Sequence, residues 1–95
     1  MKILAIEKEV APIPIEVAEV IFKKEATKVW ELIKAEIIRE IYFTENRQAI
    51  IIIEAENTEE ANKFLGNLTL VKENYISFEL MQLHPYTGFD RLINS

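Results

Sequence analysis

Five side chains have the type and placement for proton transfer or anion binding: Arg39, Glu40, Tyr42, Glu79 and His84. All lie within, or at the end of, apolar strand-like segments, where a charge is costly unless paired. Glu7 and Tyr75 are embedded in the same way. Glu79 falls between Phe78 and Leu80 and shares parity with Tyr75, Ser77 and Met81, opposite the cleaner apolar face of Ile76, Phe78 and Leu80. It reads either as an ion pair with Arg39 or a lysine that fixes register across an interface, or as a desolvated base with a raised pKa. Arg39 offers a planar fork that matches a substrate carboxylate, and equally suits a structural ion pair. Arg39 and Glu40 are neighbours, so in a regular strand they face opposite ways. Tyr42 shares the parity of Glu40. The pair would line a cleft under the first helix, or Tyr42 would be core with a satisfied hydroxyl. His84, the only histidine, precedes Pro85 at the end of the last strand. Its ordinary pKa of about 6.5 suits proton transfer at a pocket mouth, and backbone bonding at a strand end is the alternative.

Composition removes other chemistries. The chain has no cysteine, so a disulfide, a thiol nucleophile and a thiolate metal site are ruled out. One histidine does not make a catalytic zinc site. Glu54 with Asn57–Glu60 comes nearest to an oxygen-ligand metal site, and a helix cap explains that run better. Gly66 and Gly88 stand alone, so no phosphate loop or dinucleotide fingerprint exists. Ser77 is inside a strand and Ser95 is the last residue, which leaves no serine for a triad. No metal and no cofactor are expected. The formal charge of −5 argues against nucleic acid as a partner. "MKILAIEKEV" is too interrupted for a signal peptide, and no stretch approaches the roughly 20 apolar residues of a membrane helix. A cytoplasmic protein without membrane contact is expected.

The elements that position these residues follow from a switching apolar period. Lys2–Glu9 reads as a strand. Pro12 and Pro14 impose an extended approach to a helix of about five turns, with Ala18, Phe22, Ala26, Val29, Trp30 and Ile33 as its apolar stripe. Glu16, Glu19, Lys23, Lys24, Lys28, Glu31 and Lys34 form its solvated side, and Trp30 reads as core. Ile37–Thr44 and Ala49–Ala55 read as strands joined by a turn at "ENRQ". Asn57 with Glu60 makes a capping box for a second helix that Gly66 would stop. "NYISFELMQLH" is the last strand, ended by Pro85. The order β-α-β-β-α-β gives a ferredoxin-like plait: a single α+β domain over residues 1–95, with a four-stranded antiparallel sheet and both helices on one face.

Two helices cover only one face, yet both parities of every strand are apolar: Ile3 and Ala5 against Leu4 and Ile6, Ile51 and Ile53 against Ile50 and Ile52. An exposed apolar sheet of that size exceeds what a monomer carries, so a second copy is expected to cover it, sheet on sheet, as a homodimer. Residues 86–95 form an arm whose Tyr86, Phe89, Leu92 and Ile93 would lie on the partner or against the helices.

"NLTLVKENYISFELMQLHPY" resembles the C-terminal segment of muconolactone isomerases, where a Leu-Pro-Leu opening leads into an alternating strand ending in His-Pro. The spacing from Leu68 to His84–Pro85 matches without a gap. "IIREIYF" is similar to the family's Trp-Arg-His-Leu-Trp segment, with Arg39 on its arginine. The resemblance implies a dimeric α/β barrel, assembly beyond the dimer, and cofactor-independent proton movement in an unsaturated lactone. Thr69 replaces a family proline, Glu40 a histidine, and Glu36 a helix-ending glycine, a change that disfavours a left-handed turn.

Three functions fit these residues. The first is a cofactor-independent isomerase for a small anionic molecule, with Arg39 and Tyr42 binding, Glu79 or Glu40 taking the proton and His84 assisting. The second is a non-catalytic dimeric barrel that binds a small ligand or a partner. The third, and least supported, is a cofactor-free monooxygenase.

Overall fold

A computed structural model describes residues 1–93. The elements run β1 (Lys2–Glu9), α1 (Ile15–Lys34), β2 (Ile38–Phe43), β3 (Ala49–Glu54), α2 (Thr58–Gly66), α3 (Thr69–Lys72), β4 (Ile76–Gln82) and α4 (Asp90–Ile93). The strands form one antiparallel sheet in the order β2-β3-β1-β4, the plait expected from the apolar periods. The short helices α3 and α4 are additions to it.

The core lies between the sheet and the helices. Ile3, Ala5, Ile51 and Ile53 bring it four side chains from the two central strands, and Ala61, Leu65 and Leu68 close it from above. Ile76 is buried, and Phe78 and Leu80 pack against the core, so the parity read for β4 holds. Asn57 caps α2 as expected: its Oδ1 accepts the Glu60 N–H at 2.8 Å, while Glu60 Oε1 accepts from the Glu56 N–H at 3.2 Å. Gly66 does not stop α2 through a left-handed turn. It lies in the last turn, and Asn67 caps the helix in right-handed geometry.

Three turns place a side chain where glycine is usual: Glu36 (φ 62°), Arg47 (φ 64°) and Asn74 (φ 63°). At Glu36 the end of α1 is complete despite the missing glycine. The Ile37 N–H reaches the Leu32 carbonyl at 3.0 Å, and the Glu36 N–H reaches that of Ile33 at 2.9 Å. These are the paired bonds of a Schellman motif. The backbone adopts the left-handed turn that the residue type disfavours, and the two bonds hold it there.

Helix α1 departs from expectation in how it packs. None of its residues is fully buried. Val29, Leu32 and Ile33 reach the core, but Trp30, expected inside, is 57% exposed. A cavity is left between the helix and the sheet.

Beyond Leu83, whose N–H bonds the Lys2 carbonyl at 2.9 Å, the chain leaves the body. Tyr86, Phe89 and Ile93 are exposed. The radius of gyration, 15.9 Å, exceeds the roughly 13 Å of a compact chain of this length. Tyr86 and Phe89 pack edge to face at 4.9 Å. The Tyr86 ring occupies the space a Cβ on residue 88 would need, which explains Gly88. Residues 94 and 95 of the arm lie outside the described residues.

Candidate functional site

A cavity of about 500 Å³ lies between α1 and the helix-facing side of the sheet. Its roof is Phe22, Glu25, Ala26 and Val29 of α1; its floor is Ile41, Phe43, Ala49, Ile51, Ile76 and Phe78; Leu68 and Leu70 close one side. Glu7, Ile13 and Arg47 edge it and also line a more open cleft of about 650 Å³ toward Lys8, Gln48 and Tyr75. The two spaces share a doorway. The cleft is of mixed polarity and open, the cavity largely apolar and more sheltered, a form suited to a small-molecule site.

The polar groups of the cavity are few. Glu25 Oε1 accepts the Leu70 N–H at 3.1 Å, fastening α1 to the first turn of α3. Burial pushes the Glu25 carboxyl above its ordinary pKa; the Leu70 and Thr69 N–H groups pull it down, and the charge of Glu7 adds to the rise. Desolvation wins. A carboxyl that keeps its proton longer than usual, beside an apolar space, is suited to giving and taking a proton. Glu7 is held differently: its Oε1 accepts the Ala49 N–H at 3.0 Å, while its carbonyl accepts the Gln48 amide at 2.8 Å. Arg47 stands over the Phe43 ring, 6.0 Å from the centroid.

The five residues singled out in the sequence line neither space. Glu79 pairs with Lys8 at 3.2 Å, on an exposed part of the opposite sheet face. This is the lysine partner allowed for it. Strand β2 is not regular. Ile38 pairs with Ile53 but Glu40 with Ile52, so Arg39 is an inserted bulge residue. The bulge resets the phase. Ile38 stays in the core, while Glu40 and Tyr42 oppose Ile52 and Ile50 on the open face. The cleft under α1 expected for Glu40 and Tyr42 is therefore lined by Ile41 and Phe43 instead. Tyr42 Oη donates to Glu40 Oε1 at 2.9 Å, and that hydrogen bond, then the Glu40 charge, raises the phenol pKa. Arg39 lies near Glu54, whose carboxylate is bound by the Met1 amine and held below its ordinary pKa by that bond first, then by the amine, Arg39 and Lys2 charges. His84 is exposed past the end of β4. The structure thus gathers Arg39, Glu40 and Tyr42 at one end of the open face and leaves Glu79 and His84 apart from them. Among the described residues no three His, Asp or Glu side chains converge to hold a metal ion.

Glu25, Glu7 and Arg47 were readable in part. Glu25 lies three residues after Phe22 and four before Val29, inside the apolar stripe and outside the solvated side. Glu7 has the parity of Ile3 and Ala5. Arg47 occupies the turn position of "ENRQ" that forms the left-handed residue.

The fold has known counterparts. The structure superposes on the crystal structure of muconolactone isomerase with a TM-score of 0.77, covering 93% of both chains at 14% identity. This chain has the muconolactone isomerase fold. It also matches 5-chloro-2-hydroxyhydroquinone dehydrochlorinase from Burkholderia phenoliruptrix in complex with 2,5-dihydroxybenzoquinone, with a TM-score of 0.63 at 17% identity over 88% of this chain and 95% of that one. No family model and no curated protein matches the sequence. No helix among the described residues is long and apolar enough to cross a membrane.

Proposed function

We propose that this protein moves a proton within a small, largely apolar, anionic molecule, without a cofactor, in the cavity under α1. The observation that carries this reading is Glu25: a carboxyl pushed toward its protonated form by burial, lining a largely apolar cavity of about 500 Å³. Both structural counterparts support a small unsaturated oxygenated ring as the ligand, since one is named for muconolactone and the other holds 2,5-dihydroxybenzoquinone. Glu25 takes a proton from one carbon of the bound ring and returns it to another, while the apolar walls keep water away from the carbanion-like intermediate. A homodimer closed sheet on sheet belongs to the same reading. Leu4, Ile6, Ile50 and Ile52 are only partly covered on the open face, a patch suited to a second copy.

The test is double-bond migration in muconolactone and related lactones, followed by NMR. Glu25→Gln should lower turnover by about 10²–10⁴-fold and leave the fold intact. Full activity in that variant sinks the reading.

One observation favours a second reading, a non-catalytic dimeric barrel that binds a ligand. The open-face candidates are already paired, Glu79 with Lys8 and Tyr42 with Glu40. Their pairing satisfies structure without chemistry. Saturable binding with no turnover of any lactone would select it. If Glu79→Gln or Glu40→Gln abolishes turnover while Glu25→Gln does not, the chemistry belongs to the open face instead.

A further inference from the structure

The doorway between cleft and cavity carries one arginine, on a backbone position that ordinarily takes glycine. The β2–β3 hairpin closes through the Arg47 N–H to the Thr44 carbonyl at 2.8 Å and the Thr44 N–H to the Gln48 carbonyl at 2.9 Å. This is a three-residue loop whose last residue is left-handed, here Arg47 at φ 64°. A side chain at that position is strained. It nevertheless carries a guanidinium over the Phe43 ring and borders both the cleft and the cavity. Among the described residues no carboxylate pairs with it. Glu7, the acid at the same doorway, is occupied by the Ala49 N–H. A guanidinium packed over an aromatic face still presents its N–H edge to a planar anion.

We infer that Arg47 is the specificity-determining residue of the cavity, gripping the ligand's carboxylate at the doorway while the apolar body enters beneath α1 toward Glu25. The inference rests on the cavity being the ligand site. It moves the anion anchor from Arg39, the arginine marked by the sequence resemblance, to a turn on the other side of the sheet. A strained arginine in place of glycine is then a stability cost retained for binding.

The experiment uses benzoate and its neutral analogue benzyl alcohol as probes, with binding followed by NMR on the Val29 and Ile51 methyl groups. Both probes should shift these signals, with benzoate binding about tenfold tighter or more. Arg47→Gly should remove that preference, leave benzyl alcohol binding unchanged, and raise Tm by relieving the left-handed strain. Arg47→Asn, neutral but tolerant of the same backbone, should also lose the preference, and Arg47→Lys should recover part of it as a point charge. Equal binding of the two probes to the unmutated protein overturns the assignment to Arg47 while leaving the cavity reading intact. So does loss of the preference in Arg39→Gln but not in Arg47→Gly. If neither probe moves the Val29 and Ile51 signals, the cavity reading falls and the inference with it.

Discussion

On β3, Ile51 is 1% exposed beneath the helices, whereas Ile50 and Ile52, its neighbours on the same strand, are only partly covered on the other side of the sheet. The ions differ in the same sense. On the helix side Glu25 is half-buried against the backbone N–H groups of Leu70 and Thr69, and burial dominates its titration. On the open side Glu79 meets Lys8 and Glu40 meets Tyr42, in surroundings exposed enough for water to screen them. One sheet therefore has a half-buried acid beside a largely apolar cavity on one side and mutually paired polar groups in exposed surroundings on the other. The lesson is that a charge within a strand sequence marks a costly site only if its own face is covered.

Substitutions on the two faces can break this comparison. The largest effect is expected at Ile51→Ala, which should cost about 3 kcal/mol of stability by leaving a hole in the core. Ile52→Ala should cost well under half of that in a monomer, by urea unfolding. Equal losses would mean that the open face is as covered as the core, which happens only if a second copy sits on it. Ile52→Glu sharpens the same point: in a sheet-on-sheet dimer it should turn the sedimenting species into a monomer at micromolar concentration, and Tm of the parent protein should rise with concentration. A parent that sediments as a stable monomer at micromolar concentration refutes the dimer.

A smaller gain is expected away from both faces. Glu36→Gly should stabilise the fold by about 1 kcal/mol, since the left-handed end of α1 then has no Cβ to strain; a loss would mean that the Glu36 side chain contributes more than its backbone costs. Glu25 should leave a signature in pH dependence. Its folded pKa is raised, so its contribution to stability is complete below the ordinary carboxyl range and is lost as pH rises from there through the elevated folded value. Glu25→Gln should flatten that fall in denaturant midpoints measured across the window. A fall that persists unchanged assigns it to other groups. Least of all, Lys8→Met should alter stability by no more than about 0.5 kcal/mol, because its pair with Glu79 is exposed. A loss several times larger would show that this face is buried in the assembly.

Much of the fold was legible. The order of the four strands and two main helices, the parity of β4, the Asn57 cap and the plait all follow from local periodicity and capping chemistry, which depend on residues a few positions apart. β2 was not legible in phase, since the extra residue at Arg39 is invisible to an alternation count. That slip carried Glu40 and Tyr42 to the opposite face. Nor was the looseness of α1 legible. An apolar stripe predicts a face that wants burial, but not how closely the helix seats, and Trp30 and Phe22 remain largely exposed.

By itself the sequence determined the class, the strand and helix order, the apolar character of both sheet faces, and a likeness to muconolactone isomerases that the fold bears out. The tertiary structure alone decided which acid is desolvated. A carboxyl's pKa depends on the water removed from around it and on the charges facing it, and both come from segments distant in the chain. Glu25 acquires its environment from β1, through Glu7, and from the start of α3, through Thr69 and Leu70. The apolar stripe of α1 hints at the inward side of Glu25, but those distant partners are not written in it.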